Sequence, residues 1–274
     1  MGNLCYTACG RGILAICAGL ALPPLRSMIR TALMVVYATL CIAFVLPFLI
    51  LWTVVTGNPV FMNRMAMKAV RTVDRIGGIR VRLHGLENIP SDACLFVCNH
   101  VSNVDPLALV PLIPRRVSVF LKKELFRIPI LGSGMRLNGY ICVDRANRKS
   151  AVASVESAVR LLRSGISVVI FPEGTRSPDA RLRPFKRGAC VTAIQAGVPV
   201  VPVSIAGTQK LMPKGKWAIH PGEVSIHFGP SVETAQYGAE RRNEMLALIE
   251  ARVAEGLPPD QQPPTPFQRT KSAV

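Results

Sequence analysis

The chain has 274 residues, 50% of them hydrophobic and only 18% Asp, Glu, Lys or Arg, with a formal net charge of +17. Soluble domains average about 25% charged residues, so the composition excludes a disordered, fully solvated chain and leaves room for one α/β core plus a membrane element. The positive surplus calls for a polyanionic partner (nucleic acid, anionic lipid or a phosphorylated small molecule), and the eight cysteines, with no CxxC pair among them, suggest neither a zinc site nor a disulfide framework.

Gly12 to Leu22 is apolar but too short to span a bilayer, and it ends at Pro23-Pro24. Residues 32–55 carry no charge at all; as a helix they rise about 36 Å, against a hydrocarbon core of about 30 Å. Arg26 and Arg30 precede this segment, and Arg64, Lys68, Arg71 and Arg75 follow it. Basic residues on both sides leave its orientation open, and a shallow hairpin with both ends on the cytosolic side fits as well as a span. Pro47 predicts a kink. Residues 1–58 are therefore expected to form a membrane-associated helical segment. Residues 59–78 predict a basic amphipathic helix, with Val60, Phe61, Met65, Ala69, Val73 and Ile76 on its apolar face.

An α/β pattern follows over residues 79–255. Strands are expected at Ile79 to His84, Ala93 to Cys98, Arg116 to Leu121, Ser167 to Phe171, Val198 to Ile205 and Val224 to Phe228. Helices are expected at Pro106 to Leu112, Ala151 to Ser164, Ala189 to Ala196 and Ala239 to Ala254. Strands apolar on both faces alternating with helices predict a mostly parallel sheet covered on both sides. The prolines of Val198 to Ile205 would interrupt a central ladder and fit a strand bordering a lipid channel, while the plainer reading is one more core or edge strand. Residues 256–274 read as a Pro-rich polar tail without a core role.

The chemistry concentrates where strands end. Asn99-His100-Val101-Ser102-Asn103-Val104-Asp105-Pro106 follows an apolar strand. An imidazole there can take a proton from a hydroxyl, and a carboxylate can fix its tautomer. His100 and Asp105 meet only if the chain turns between them, because five residues of continuous helix set them on different faces. No serine or cysteine elbow is evident, which leaves the attacking oxygen to the substrate. Phe171-Pro172-Glu173-Gly174-Thr175-Arg176-Ser177 ends a second strand. Gly174 permits a tight turn and Arg176 offers a fork suited to phosphate, with Thr175 and Ser177 as further donors. Glu173 reads as orienting Arg176 or meeting a glycerol hydroxyl. Gly139 to Arg145 is a third stretch, a short strand ending in Asp144-Arg145. GxxxxGK[ST], GxGxxG and HExxH are all absent, and aromatic residues are only 6%, so nucleic-acid binding rests on charge alone.

Taken together these stretches resemble the glycerolipid acyltransferase family. Asn99, His100 and Asp105 match its Asn-His-x4-Asp block, and Gly139 to Arg145 resembles its second block. Residues 171–177 carry the third block in full, and the Val-Pro strand at 198–205 resembles the fourth; Lys122-Lys123-Glu124-Leu125 is also similar to the family. The resemblance implies an α/β domain of the glycerol-3-phosphate acyltransferase type beside an N-terminal hydrophobic helical element in the membrane. It implies His100 as general base, Asp105 as its orienting partner, and Arg145, Glu173 and Arg176, with Lys122, Gly174, Thr175 and Ser177, around the acceptor. The implied reaction transfers a fatty acyl group from an acyl-CoA or acyl carrier protein thioester to the 2-hydroxyl of 1-acyl-sn-glycerol-3-phosphate. No metal or redox cofactor is implied, and no nucleic acid. The implied location is an anionic inner membrane, with the domain facing the cytoplasm. Another lysolipid acceptor (lyso-ornithine lipid or lysophosphatidylcholine) or a non-enzymatic anionic-membrane binding protein are the alternatives.

Overall fold

The computed structural model describes residues 24–144, 147–238, 240–265 and 267. The stretch Gly12 to Leu22 and Arg145 lie outside the described residues. Helix α1 (Leu25–Leu40) continues through a π-turn (Cys41–Val45) into α2 (Leu46–Thr56), making one rod of 32 residues. The π-turn stands just ahead of Pro47: the Leu46 N–H reaches back to the Cys41 carbonyl. The widened turn accommodates a ring that would otherwise press on the carbonyl four residues earlier.

Gly57 is left-handed at φ 67, a conformation that L side chains resist. There the chain reverses into α3 (Val60–Gly77), which runs back along the rod. The Phe61 ring lies 5.7 Å from that of Trp52, and Gly77 packs on Met34. The rod inverts the polarity of a helix in a soluble protein. Leu25, Ile29, Leu33, Phe44, Phe48, Leu51 and Val55 face outward, while Ser27, Thr31 and Thr53 are buried. Ser27 hydrogen-bonds His220 (3.0 Å) and Thr31 accepts the Ile219 N–H (2.8 Å). Further along, Leu46 rests against Gly134, and Asn63 of α3 donates to Asn138 (3.2 Å). The hairpin therefore packs on the domain at the first turns of α1 and again around Leu46 and Asn63.

The domain contributes β1 (Ile79–His84), β2 (Leu95–Cys98), α4 (Val104–Leu109), β3 (Val117–Lys122), α5 (Leu131–Leu137), β4 (Ile141–Val143), α6 (Arg148–Arg163), β5 (Ser167–Ile170), α7 (Gly188–Ala196), β6 (Val200–Ala206), α8 (Thr208–Leu211), β7 (Gly222–Phe228) and α9 (Arg242–Glu255). The seven strands form one sheet in the order β1-β7-β6-β2-β5-β3-β4. Every neighbouring pair is parallel except β6 with β7. Strand alternation supplies both faces: Phe96, Cys98, Val169 and Val203 pack toward α4 and the hairpin, and Leu95, Val97, Val168 and Val200 toward α6, α7 and α9.

The Val-Pro strand does not border the sheet. It is β6, between β2 and β7. Pro202 is tolerated because its carbonyl faces the β7 side, where it accepts the Gly229 N–H (2.8 Å). The regular pairing with β7 ends at Phe228 opposite Val203 and resumes only at the Val200–Val232 bridge, so the missing donor falls in a break of the ladder. The segment after Gly256 also departs from its composition. Leu257 and Gln261 are buried, and the Gln261 carbonyl accepts the Leu182 N–H (2.8 Å). A polar average hides a single turn that fits against the core.

Candidate active site

Strands β6, β2, β5 and β3 run parallel and end on one edge of the sheet, where open α/β sheets place their sites. β2 stops at Cys98 and α4 begins at Val104, and the intervening turn is wound around one carboxylate. Asp105 Oδ2 accepts the backbone N–H groups of Val101 (2.8 Å) and Ser102 (2.9 Å) and the Nδ1–H of His100 (2.8 Å). Its Oδ1 accepts the Thr208 hydroxyl (2.5 Å). Asp105 is fully buried, and His100 nearly so. With Nδ1 donating to the carboxylate, Nε2 is left as the basic ring nitrogen. Asn99 extends the β2–β6 ladder with its side chain, donating to the Ile205 carbonyl (2.9 Å) and accepting the Ile205 N–H (2.7 Å).

β5 delivers the second motif. The Phe171 ring lies 4.6 Å from the imidazole. Glu173 Oε1 accepts the His100 N–H (2.8 Å), and the Ser177 N–H donates to the His100 carbonyl (2.9 Å). The loop thus clamps the His100 backbone on both sides. Glu173 is buried and its Oε2 has no partner. Burial pushes its carboxyl up to about 8, against the pull of the His100 N–H and with a further push from Asp105.

Glu173 consequently makes no ion pair with Arg176 and does not orient it, because its side chain is turned under the His100 backbone. Ser177 is turned inward as well; its hydroxyl donates to Asp179 (2.7 Å), which holds the loop and leaves no donor for an anion. Gly174 is left-handed at φ 75, and the Lys186 amine lies where a Cβ would stand.

His100 opens on a cavity of about 610 Å³. Lys122, Thr175 and Arg176 line it beside His100, and Met67, Val70, Leu107, Val110, Leu121 and Met135 give it apolar walls. The neighbouring Lys123 pairs with Asp144, which fixes the ends of β3 and β4 together. A second depression, of about 510 Å³ between β4 and α6, includes none of these polar residues. Among the described residues no three His, Cys, Asp or Glu side chains gather as a metal site.

Sequence reasoning missed Thr208, whose hydroxyl completes the shell of Asp105. Its one signal is a Gly-Thr pair directly after the Val-Pro strand. The Ser102 hydroxyl, donating to the Met212 carbonyl (2.8 Å), and the Lys186 amine over Gly174 left no readable trace.

A family model described as acyltransferase matches residues 80–206. A 1-acyl-sn-glycerol-3-phosphate acyltransferase of Pseudomonas aeruginosa is 33% identical over 217 residues, which is 79% of this chain and 81% of that protein. Another of that name, from Limnanthes douglasii, is 32% identical over 189 residues, 69% of this chain and 67% of its own length. The crystal structure of the 1-acyl-sn-glycerophosphate (LPA) acyltransferase PlsC from Thermotoga maritima superposes with a TM-score of 0.72 at 29% identity, covering 85% of this chain and 95% of that one. The carboxylate-bound histidine on the sheet edge and these relatives lead to one conclusion: the chain is an enzyme of the acyltransferase family, the family of the 1-acyl-sn-glycerol-3-phosphate acyltransferases.

Proposed function

We propose that this enzyme moves a fatty acyl group from an acyl-CoA or acyl carrier protein thioester to the 2-hydroxyl of 1-acyl-sn-glycerol-3-phosphate, giving phosphatidic acid. The observation that carries the reading is the His100–Asp105 pair (2.8 Å) opening on a cavity with cationic residues beside the imidazole and apolar walls beyond it. Nε2 takes the proton of the acceptor hydroxyl as its oxygen attacks the thioester carbonyl. The buried Asp105 stabilises the imidazolium. The tetrahedral oxyanion then collapses, the C–S bond breaks, and the thiolate leaves with the proton returned by Nε2. Arg176, Thr175 and Lys122 hold the acceptor phosphate, and Arg145 joins them by the family resemblance. Glu173 serves as a clamp on the His100 backbone, not as an acceptor ligand. The reaction as written needs no metal or redox cofactor, and the thioester is a co-substrate.

The same proposal seats the chain on an inner membrane with the domain in the cytoplasm. Leu25–Thr56 is long and apolar enough to cross a membrane, and presents most of its surface outward. In water that much exposed apolar surface is an aggregation liability. The rod's contacts with the domain at its first turns and at Leu46 favour a hairpin lying shallowly in one leaflet over a free span. The basic α3 adds attraction to anionic headgroups.

The test is a panel with purified enzyme. Acyl-CoA and acyl carrier protein thioesters are each supplied with lysophosphatidic acid, lysophosphatidylcholine, lyso-ornithine lipid or glycerol-3-phosphate, and kcat/KM is compared by thiol release. Lysophosphatidic acid is expected to be the best acceptor. His100→Ala is expected to lower kcat by at least about 100-fold. Another acceptor in first place rejects the substrate reading, and near-normal turnover by the His100 variant rejects the mechanism.

A further inference from the structure

Between α8 and β7 the chain puts out an exposed loop, Pro213 to Trp217, on two buried feet. Leu211 and Met212 form one foot, and Ala218 and Ile219 the other. The His220 N–H closes the base on the Leu211 carbonyl (2.8 Å), and the Lys216 N–H folds the tip back on the Pro213 carbonyl (3.0 Å). Trp217 is 60% exposed on this closed turn, next to Lys216. An indole and an ammonium held out together fit a membrane interface, where the ring sits at headgroup depth and the cation meets phosphate.

Four hydrogen bonds fix the loop in place. The outgoing foot rests on the start of α1, through Ile219 N–H to Thr31 and His220 to Ser27. That places it at the first turns of α1, on the face opposite the exposed Leu25, Ile29 and Leu33, with Arg26 exposed between the two faces. The incoming foot is fastened to the catalytic turn by Ser102. At the tip, Lys214 Nζ donates to the Arg176 carbonyl (2.8 Å), which spans the gap to the loop after β5. The loop therefore stands between the first turns of the rod and the mouth of the site.

We infer that the Pro213 to Trp217 loop is a second membrane contact, with Trp217 lodged at the interface and Lys216 against anionic lipid headgroups. The inference rests on the membrane seat proposed for the rod. It also gives the bilayer a physical link, through Lys214, to the arginine assigned to the acceptor phosphate.

Trp52 and Trp217 are the chain's two tryptophans, so Trp52→Phe leaves Trp217 as the sole reporter. The full-length variant is reconstituted in phosphatidylcholine–phosphatidylglycerol vesicles, floated on a density gradient, and exposed either to iodide or to phospholipids carrying a nitroxide near the headgroup. The expected result is flotation, with Trp217 losing most of its emission to the shallow nitroxide and shielded from iodide. If Trp52→Phe misfolds, the difference between wild type and Trp217→Phe reads the same quantity. Adding Lys216→Ala should weaken the anionic-lipid dependence of the quenching about fivefold. Flotation with Trp217 quenched only by iodide overturns the loop's role and leaves the rod's seat standing. The same holds if an acidic acyl carrier protein, and not lipid, shields Trp217; the loop is then a protein-docking face. Failure to float overturns both readings.

Discussion

Replacing Glu173 with Gln removes an ionisable group but keeps the oxygen that accepts the His100 N–H, so its effect can be worked out from the buried carboxyl alone. Burial holds that carboxyl at about 8, against an ordinary value of 4.5. Between those two values the folded protein keeps a proton that the unfolded chain has released, so stability falls as pH rises until the folded carboxyl ionises. Each unit costs about 1.4 kcal/mol, so at pH 7 the wild type should trail the Gln variant by about 3 kcal/mol. For a chain of this size that corresponds to about 6 °C in Tm. Thermal unfolding in detergent, followed by near-UV circular dichroism, should show the gap widening from about 1 kcal/mol at pH 5.5 to about 5 kcal/mol above pH 8. Glu173→Gln should also keep acyl transfer and its acceptor KM. Glu173→Ala, which leaves the His100 N–H unpaired, should lose about 1–3 kcal/mol of stability and most of its turnover. A gap that stays constant with pH refutes the burial argument. A large rise in acceptor KM for the Gln variant returns Glu173 to the acceptor site.

Thr208→Val removes the hydroxyl from Asp105 Oδ1; kcat should fall about tenfold, as expected for a lost charge-assisted bond, with both KM values unchanged in initial-rate kinetics. Arg176→Ala should raise the acceptor KM at least about tenfold while sparing the thioester KM; a defect confined to the donor reassigns that end of the cavity. Ending the chain at Gly256 removes buried Leu257 and the Gln261 carbonyl that holds Leu182. That should cost about 2–4 kcal/mol, read as a fall in Tm, and an unchanged Tm would mean that the turn only covers the core. A mass-spectrometric thiol-labelling experiment should modify exposed Cys142 and spare Cys94 and Cys98, whose thiols burial pushes up, Cys94 to about 11.

Periodicity and punctuation located most of the strands and helices, because strands buried on both faces read as unbroken apolar runs and Gly57, Gly165 and Gly197 stop the elements before them. The pairing of His100 with Asp105 was implied by the family resemblance of the Asn-His-x4-Asp block; helix geometry set only its condition, a turn between the two. What those residues touch beyond each other was not legible. Thr208 reaches Asp105 from the far side of the sheet edge, 103 positions along the chain. The proline rule misplaced β6 because it cannot tell which neighbour a missing N–H would have faced. Glu173 was read by its charge, whereas the fold uses one of its oxygens as a plain acceptor and buries the other. Composition likewise described the residues after Gly256 on average and missed the one turn that packs.

The strand order sets the sequence of assembly. β1 follows α3 directly, and its neighbour in the sheet is β7, Ile79 standing opposite Gly222. During synthesis the rod and its basic partner leave the ribosome ahead of the domain and can settle on a bilayer while the catalytic residues are still unmade. β1, the first strand to emerge, then waits for the last before it can pair, and such distant pairing is slow. Until β7 arrives, both edges of β1 are open to other chains, and the outer one stays unpaired in the finished sheet. A nascent chain stalled before Gly222 would therefore hold a seated hairpin beside an unfinished sheet, and early membrane attachment keeps that open edge away from crowded solution.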